Sequence, residues 1–337
     1  MPARKIYYFI FFVPVIFIAC QSIQSKMPNH LEYQLVKEWP QLPPGFVLGS
    51  PTGIGIDTSQ NVFIFCRAGR EWPLFSSMPK APISSKTILI LDRNSGKILN
   101  SWGNDLFIMP HGLIVDKDNN VWVTDVGLHQ VFKFTHDGKL LMKLGEARVS
   151  GNDHSHFNLP TDIAVTPDGS FYVSDGYGNS RVVKFSAAGE YLFEWGRKGS
   201  GDGEFNIPHA IDLDDKGNVY VADRENKRIQ VFDASGKFLK QWTDNSFGKI
   251  CSVVFDKKEK RIIAVDDANS WFGLKHNGSD IILFDSLGNV TAKFGKGILK
   301  AEGTKCWYHD VAVDDQQNIY VGDILGNRIQ KFRKINK

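Results

Sequence analysis

PHAIDLD (Pro208–Asp214) and GNVYVAD (Gly217–Asp223) form the clearest copy of a phrase that recurs throughout this 337-residue chain. The phrase consists of a proline-led bend, a hydrophobic strand, a turn that contains Asp, and a second strand. Two copies have Ile250 and Tyr308 in place of the proline, and the one at Ile250 is degenerate. The second position of the phrase changes in a regular order along the chain: Thr52, His111, Thr161, His209, Cys251 and His309. An internal repeat of this kind must be recognised before any domains are counted, because it decides the architecture.

Each repeat closes with a further strand that ends on an aromatic residue or Leu and usually on Gly, as in Glu190–Gly196. Turn pairs such as Asp168-Gly169 and Ser235-Gly236 separate the strands, and no segment has a sustained helical period. A period of about 40 to 50 residues with four strands in each repeat is typical of a β-propeller. The six copies of the phrase therefore predict an all-β fold, a six-bladed β-propeller.

The last repeat, which starts at Tyr308, has room for only three strands before Lys337. The missing strand has a counterpart near the other end of the chain, because EYQLVKEW at 32–39 is similar to EYLFEW at 190–195. We expect this N-terminal strand to complete the last blade and close the ring, which would remove two exposed sheet edges. The predicted propeller spans residues 32–337.

The first twenty residues differ in kind from the repeats. Arg4 and Lys5 precede an apolar run, Ile6–Ala19, which is too short to span a bilayer and has the layout of a secretory signal. Ile18-Ala19-Cys20 resembles a bacterial lipobox, so we predict a signal peptide at 1–19, lipidation of Cys20 and a polar tether at 20–31. The protein would then be exported to the bacterial cell envelope and touch the membrane only through its lipid. A plain cleaved signal with an incidental Cys20 is the alternative.

Charge and cysteine content exclude some classes of protein. The formal net charge of +3 is small and spread along the chain, so no clustered basic face for nucleic acid is expected. A lipidated Cys20 would leave Cys66, Cys251 and Cys306, an odd number that argues against a disulfide framework. We expect a monomer.

The three histidines of the phrase carry the functional prediction. In a propeller the first strand of each blade lines the central channel, and alternate blades lie about 120° apart in a six-bladed ring. His111, His209 and His309 should therefore converge, and three imidazoles with an open fourth position are typical of a catalytic zinc or a related divalent metal. Hydrogen-bonded channel histidines around water are the alternative. Cys251 is either a fourth, softer ligand or a buried strand cysteine.

A second recurring position follows the second strand of each blade. Its aspartates are expected to stabilise turns by accepting bonds from local backbone N–H groups. They are Asp125, Asp175, Asp223, Asp266 and Asp323. Arg67 and Tyr177 depart from the repeat near this position, and a Tyr beside a fixed cation is a competent base because the cation favours the phenolate. The alternative is a surface Arg and a packing Tyr.

Two blades carry long insertions, one at 68–86 and one at 269–277. Both contain aromatic residues, such as Trp72 in the first and Trp271 in the second. Long loops on one rim of a rigid ring are common places for binding specificity. The residue types alone do not indicate which chemistry they recognise.

Four motifs together carry a resemblance to a known family. They are PHGL at 110–113, TDVGLHQVFK at 124–133, DGYGNSR at 175–181 and DREN at 223–226. The chain resembles the peptidylglycine α-hydroxyglycine amidating lyases, which are built on NHL-type propeller repeats, over nearly all of residues 34–334. Gly178 and Val219 stand where animal members have cysteines, and Trp307-Tyr308 replaces Met-Pro before the third histidine.

This resemblance implies a zinc ion on His111, His209 and His309, with Tyr177 and Arg67 taking part in the chemistry. The reaction would be the cleavage of the C–N bond of an α-hydroxyglycine-type carbinolamide, giving an amide and glyoxylate. The partner would be a small molecule or peptide that carries that group.

The resemblance also implies a structural calcium ion, held by the backbone carbonyls of Ile54 and Leu113 and the side chain of Asp310. Two other functions compete with the lyase: a non-catalytic binding propeller anchored in the envelope, and a lactonase-like hydrolase. The hydrolase would need carboxylates on the metal, whereas the ring here supplies imidazoles.

Overall fold

The computed structural model describes residues 32–73, 76–267, 278–295 and 305–335, which form six four-stranded antiparallel sheets. Blade one contains β2 (Pro51–Ile56), β3 (Val62–Cys66), β4 (Ile88–Leu91) and β5 (Ile98–Trp102), and blade two contains β6 (Pro110–Val115), β7 (Val121–Asp125), β8 (Gln130–Phe134) and β9 (Leu140–Leu144). Blade three contains β10 (Asp162–Val165), β11 (Phe171–Asp175), β12 (Arg181–Phe185) and β13 (Tyr191–Trp195). The six-bladed propeller predicted from the repeats is confirmed.

The remaining blades follow the same order. Blade four contains β14 (Pro208–Leu213), β15 (Val219–Asp223), β16 (Arg228–Phe232) and β17 (Phe238–Thr243). Blade five contains β18 (Lys249–Asp256), β19 (Arg261–Asp267), β20 (Asp280–Phe284) and β21 (Val290–Gly295). Blade six contains β22 (Tyr308–Val313), β23 (Ile319–Asp323), β24 (Arg328–Lys334) and, as its outermost strand, β1 (Tyr33–Leu35).

The N-terminal strand closes the ring as expected. Strand β1 pairs antiparallel with β24, and Tyr33 lies opposite Lys334. The Tyr33 side chain is fully buried, stacks on Phe294 of blade five at 5.2 Å, and its hydroxyl accepts a 2.6 Å hydrogen bond from Arg261. One side chain of the closing strand thus ties blade six to blade five.

Burial differs between the inner and the outer strands of a blade. All five residues of β3 are buried, since sheets pack against both of its faces. In β17 exposed residues alternate with half-buried ones and the buried Trp242, because one face of this strand meets solvent. Apolar clusters fill the spaces between neighbouring blades. One of them joins Phe65 of blade one to Phe107, whose rings lie 4.8 Å apart edge to face. These clusters hold the rigid ring on which the channel side chains stand.

A β-bulge marks the second position of the repeated phrase. In blade four the pairing of β14 with β15 slips between Pro208 and Ala210, so His209 has no partner across the ladder. The same slip occurs at that position in blades one, two, five and six. A bulge changes the direction in which the side chain of its extra residue points. Each histidine of the phrase therefore does not follow the regular alternation of side chains along its strand.

The recurrent aspartates stabilise turns, as predicted. Both oxygens of the buried Asp125 accept backbone N–H groups, with Ile108 and Met109 on one oxygen and Leu128 on the other. Asp266 likewise accepts the N–H groups of Gly248 and Asp280. Each aspartate fixes the segment that leads into the first strand of its own blade.

Several predictions from the sequence concern residues outside the described ranges. The signal peptide, the lipidated Cys20 and the tether lie within 1–31, and the second insertion, 269–277, is also outside. In the part of the chain that the structure describes, no helix is long and apolar enough to cross a membrane. Cys66, Cys251 and Cys306 are all buried and form no disulfide with one another.

Candidate active site

The three histidines of the phrase meet in the channel. His111, His209 and His309 each offer one ring nitrogen, and these nitrogens all lie within 4.8 Å of one another. Their ring centroids are 4.6 to 4.9 Å apart, and every pair is arranged edge to face. All three side chains are buried. The three histidines thus converge in the channel, as their alternation along the chain predicted.

The other ring nitrogen of each histidine bonds to the backbone of the next blade. Every Nδ1 donates to the carbonyl oxygen of the residue at the same phrase position one blade further on, which fixes the tautomer and leaves the Nε2 lone pair facing the channel. The pairs are His111 with Thr161 at 2.7 Å, His209 with Cys251 at 2.6 Å, and His309 with Thr52 at 2.9 Å. The alternation thus has a structural reason: blades two, four and six supply imidazoles, and blades three, five and one supply the carbonyls that orient them.

The environment keeps the imidazoles neutral. Burial, together with the positive charge of Arg67, lowers the pKa of His309 to about 3. Burial also holds the pKa values of His111 and His209 well below the ordinary value, with additional lowering from His309 and Arg224 respectively. Neutral imidazole is the form that binds a metal ion.

Tyr177 places its hydroxyl beside two of these imidazoles. Its Oη lies 3.1 Å from Nε2 of His111 and 2.9 Å from Nε2 of His209. One phenolic proton can be donated to only one of these two acceptors. One of these two Nε2 lone pairs therefore receives no proton from Tyr177. Three imidazole nitrogens, each on a ring whose other nitrogen is anchored by a hydrogen bond, form a donor set that suits zinc. The residues present fit a zinc ion.

Arg224, a residue for which the sequence motifs predicted no role, contacts Tyr177 directly. Its Nη1 donates to the Tyr177 Oη at 3.2 Å, and the guanidinium carbon lies 5.2 Å from the centre of the Tyr177 ring. Glu225 accepts bonds from Nε and Nη2 of Arg224 and forms an ion pair with Lys249 at 2.7 Å. The sequence held a signal for this residue, because Arg224 follows the second strand of blade four as Arg67 follows that of blade one.

Arg67 is buried beside the site but acts on Tyr177 through space. Its Nε donates to the Pro110 carbonyl at 3.2 Å, and its guanidinium lies 5.2 Å from the Trp72 ring. Burial lowers the pKa of Arg67 to about 10, with Tyr177 and Asp125 opposing that shift. The cation expected beside Tyr177 is therefore present, and Arg224 makes the hydrogen bond.

Opposing influences act on the phenol. Burial raises the pKa of Tyr177, and Arg224 and Arg67 lower it, with burial the larger effect. A divalent cation at the histidines would add a third lowering influence, since positive charge favours the phenolate.

The residues expected to hold calcium lie together further along the channel. Asp310 accepts the Ile54 N–H at 2.6 Å and the Ser252 hydroxyl at 2.6 Å. Burial raises the pKa of Asp310 to about 7, and both burial and Asp310 raise that of Asp162. Leu113 lines a cavity of about 830 Å³ together with Ile54, Asp162 and Asp310. Two buried carboxylates close enough to influence each other suit a divalent cation with oxygen ligands.

Blades one and two approach each other closely at this point. A Cβ on Gly53 would lie 2.6 Å from the backbone nitrogen of Leu113, so only glycine permits the contact. The close approach brings the backbone at Ile54 and that at Leu113 to one side of the channel.

Cys251 takes part in the site through its backbone. Its carbonyl accepts from His209, while its sulfur lies 3.5 Å from the Lys249 carbonyl oxygen. Burial raises the pKa of this thiol above its ordinary value. The residue thus has the character of a buried strand cysteine.

Comparison with known proteins agrees with this architecture. The fold and its repeats are those of an NHL-repeat β-propeller, and the NHL repeat family matches residues 107–134, 157–185 and 205–232. The chain belongs to the peptidyl-α-hydroxyglycine α-amidating lyase family. A Caenorhabditis elegans protein named as a probable peptidyl-α-hydroxyglycine α-amidating lyase is 39% identical over 306 residues, covering 86% of this chain and 84% of that protein.

Other relatives are longer than this chain. Peptidyl-glycine α-amidating monooxygenase B of Xenopus laevis is 37% identical over 319 residues, which are 90% of this chain and 35% of that protein. Peptidyl-α-hydroxyglycine α-amidating lyase 1 of Drosophila melanogaster is 34% identical over 336 residues, or 91% of this chain and 60% of that protein. The chain thus spans about a third of the length of the frog protein, and the names of the relatives support a lyase-like function.

Solved structures resemble this chain in fold. A streptogramin B lyase has a TM-score of 0.55 at 16% identity, with 90% of this chain and 88% of that chain covered. A gluconolactonase from Xanthomonas campestris has a TM-score of 0.59 at 13% identity, with 86% and 87% covered. At such identities these likenesses extend to the fold alone.

Proposed function

We propose that this protein cleaves the C–N bond of an α-hydroxyglycine-type carbinolamide, releasing an amide and glyoxylate. The observation that carries the proposal is the position of the Tyr177 hydroxyl, which lies within hydrogen-bond distance of His111, His209 and Arg224 at once. An acid–base group held at the edge of a tri-imidazole centre, next to two guanidiniums, suits proton transfer at an oxygen atom.

His111, His209 and His309 would hold a zinc ion, which supplies Lewis acidity toward the oxygen of the substrate when it is bound. The backbone carbonyls of the neighbouring blades keep the three rings in their ligand orientation. Such outer partners orient the ligands and raise their basicity.

Tyr177 would take the proton of the carbinol hydroxyl. As the carbonyl of glyoxylate forms, the electron pair of the C–N bond passes to the nitrogen, which receives the proton from Tyr177 and leaves as the amide. No oxidant or reductant is consumed. Arg224 and Arg67 favour the phenolate form of Tyr177 because both place positive charge beside it.

Arg224 and Lys249 also make one side of the site cationic. They share Glu225 between them, so two positive charges meet a single carboxylate. A substrate carboxylate would be drawn to this side, which would place the carbinol carbon near Tyr177.

The test is the release of glyoxylate from a synthetic peptidyl-α-hydroxyglycine, measured with the purified protein before and after a chelator. We expect product that disappears with the chelator and returns when zinc is added. Spontaneous breakdown of the substrate is measured without protein and subtracted. Protein that retains zinc but forms no product would overturn the lyase and leave the non-catalytic binding propeller.

A further inference from the structure

Two sets of side chains surround Tyr177. One set contains the charged groups Arg224, Glu225 and Lys249 of blades four and five. The other is a set of apolar side chains that packs together with Tyr177. They are Trp72 and Met78 of the first insertion, Leu128, which follows β7, and Leu159, which precedes β10. We call this set the apolar wall.

The apolar wall stands on a buried base. Ile108, Met109 and Val126 are almost fully buried, and the wall residues pack on them while keeping part of their own surface exposed. Apolar surface left uncovered beside a reactive centre is typical of a ligand-binding site.

Trp72 is the aromatic member of the wall, and it lies close to Tyr177. Its ring lies 5.2 Å from that of Tyr177, at an interplanar angle of 42°. The guanidinium of Arg67 lies 5.2 Å from the same indole. The indole therefore lies close to both Tyr177 and Arg67, the two residues predicted to take part in the chemistry.

The insertion that carries Trp72 is fastened to the ring by backbone acceptors. Nη1 of Arg70 donates to the Ala81 carbonyl at 2.7 Å and to the Ile108 carbonyl at 2.9 Å. The Ile83 N–H donates to the Phe107 carbonyl at 2.8 Å. A wall held in this way is already formed before a ligand arrives, which lowers the entropy cost of binding.

We propose that the apolar wall is a subsite for a bulky apolar group on the acyl side of the scissile C–N bond. The inference rests on the proposed function, which draws the substrate carboxylate to Arg224 and Lys249 and places the carbinol carbon at Tyr177. The acyl group then extends from Arg224 and Lys249 past Tyr177 toward Trp72. The preferred substrates are α-hydroxyglycine derivatives whose acyl part is aromatic or a branched aliphatic residue.

Binding of two unreactive probes tests the subsite without relying on turnover. N-Benzoylglycine and N-acetylglycine lack the carbinol hydroxyl and differ only in the acyl group, and their dissociation constants are measured by calorimetry with the zinc-loaded protein. We expect N-benzoylglycine to bind about tenfold or more tightly, which is the usual size of discrimination by an apolar pocket. Trp72→Ala should remove most of this preference by weakening the benzoyl probe, and Trp72→Phe should keep part of it.

Phe193→Ala, on the outer strand of blade three, is the control variant and should leave both dissociation constants unchanged. Equal weakening of both probes by Trp72→Ala would show that the indole only supports Arg67 and Tyr177, and it would overturn the subsite, as would a wild-type protein without preference. A preference for N-benzoylglycine without glyoxylate release would support the subsite and contradict the lyase activity. Glyoxylate release without that preference would support the lyase activity and contradict the subsite.

Discussion

Nδ1 of His209 lies 2.6 Å from the carbonyl oxygen of Cys251, so the imidazole of blade four is oriented by the backbone of blade five. The bond uses no atom of the Cys251 side chain. A carbonyl acceptor is available whichever residue stands there, provided that the bulge in β18 keeps its conformation.

Replacing Cys251 with Ala should therefore leave the zinc content unchanged, at one ion per chain. The expected cost is a modest loss of stability, about 1 kcal/mol, because a small buried side chain is shortened. Metal analysis after dialysis measures the stoichiometry, and His209→Ala serves as the comparison that should lose most of its zinc. A Cys251→Ala protein that loses zinc to the same extent would show that the sulfur is a ligand.

Replacing Tyr177 with Phe should leave zinc binding intact and lower turnover by about 100-fold or more, since a positioned acid–base group contributes that much. The phenyl ring can keep its edge contacts with His111 and His209. Glyoxylate release and metal content are measured on the same preparation. Full turnover in the variant would remove Tyr177 from the mechanism.

Arg224→Lys should raise KM for the α-hydroxyglycine substrate by about tenfold or more. Lysine keeps the charge but cannot bond Tyr177 and Glu225 simultaneously from a planar fork. Steady-state kinetics separates KM from kcat, and Lys227→Arg, which changes a neighbouring cation outside these contacts, is the control. An unchanged KM would place the substrate carboxylate elsewhere.

Tyr33→Ala should lower the free energy of unfolding by about 3 to 5 kcal/mol, as expected for removing a fully buried aromatic side chain. Tyr33→Phe retains the stacking on Phe294 and loses only the bond from Arg261, so a loss of about 1 to 3 kcal/mol is expected. Denaturant unfolding of the two variants measures both values. Variants as stable as the natural protein would show that ring closure contributes little.

Calcium should raise the melting temperature, by about 5 °C or more at a saturating concentration. The pKa of Asp310, raised by burial from 3.8 to about 7, means that the folded protein binds more protons than the unfolded chain across that pH range. Stability from this group is therefore lost as pH rises through the range, and a cation that pairs with the ionised carboxylate restores it. The effect of calcium should grow from pH 4 to pH 7, and Asp310→Asn should reduce it. A calcium effect equal at both pH values would contradict this origin.

Much of the fold could be predicted because one phrase is repeated in each blade. The order of Thr, His and Cys at its second position was enough to predict that His111, His209 and His309 meet, since equivalent positions in a ring converge on its axis. The closing strand could be predicted because residues 32–39 resemble the outer strand of another repeat, at 190–195, and because the last repeat has room for only three strands.

The contacts that give the site its chemistry could not be predicted in the same way. The hydrogen bonds from Nδ1 depend on a bulge that shifts one residue out of the ladder, and hydrophobic periodicity does not report a bulge of this kind. The bond from Arg224 to Tyr177 joins blades four and three across the rim, and only the folded ring brings those residues together. Arg224 shares its repeat position with Arg67, so a comparison of all six blades at that position was the available signal.

The pairing of β1 with β24 also determines how the molecule can come apart. An open array of repeats can fray from a terminal unit, one repeat after another. This ring has no terminal unit among its six sheets, because the outermost strand of blade six comes from the start of the chain. Displacing any blade must break its contacts with two neighbours at once, so the histidine centre is held by a single cooperative unit.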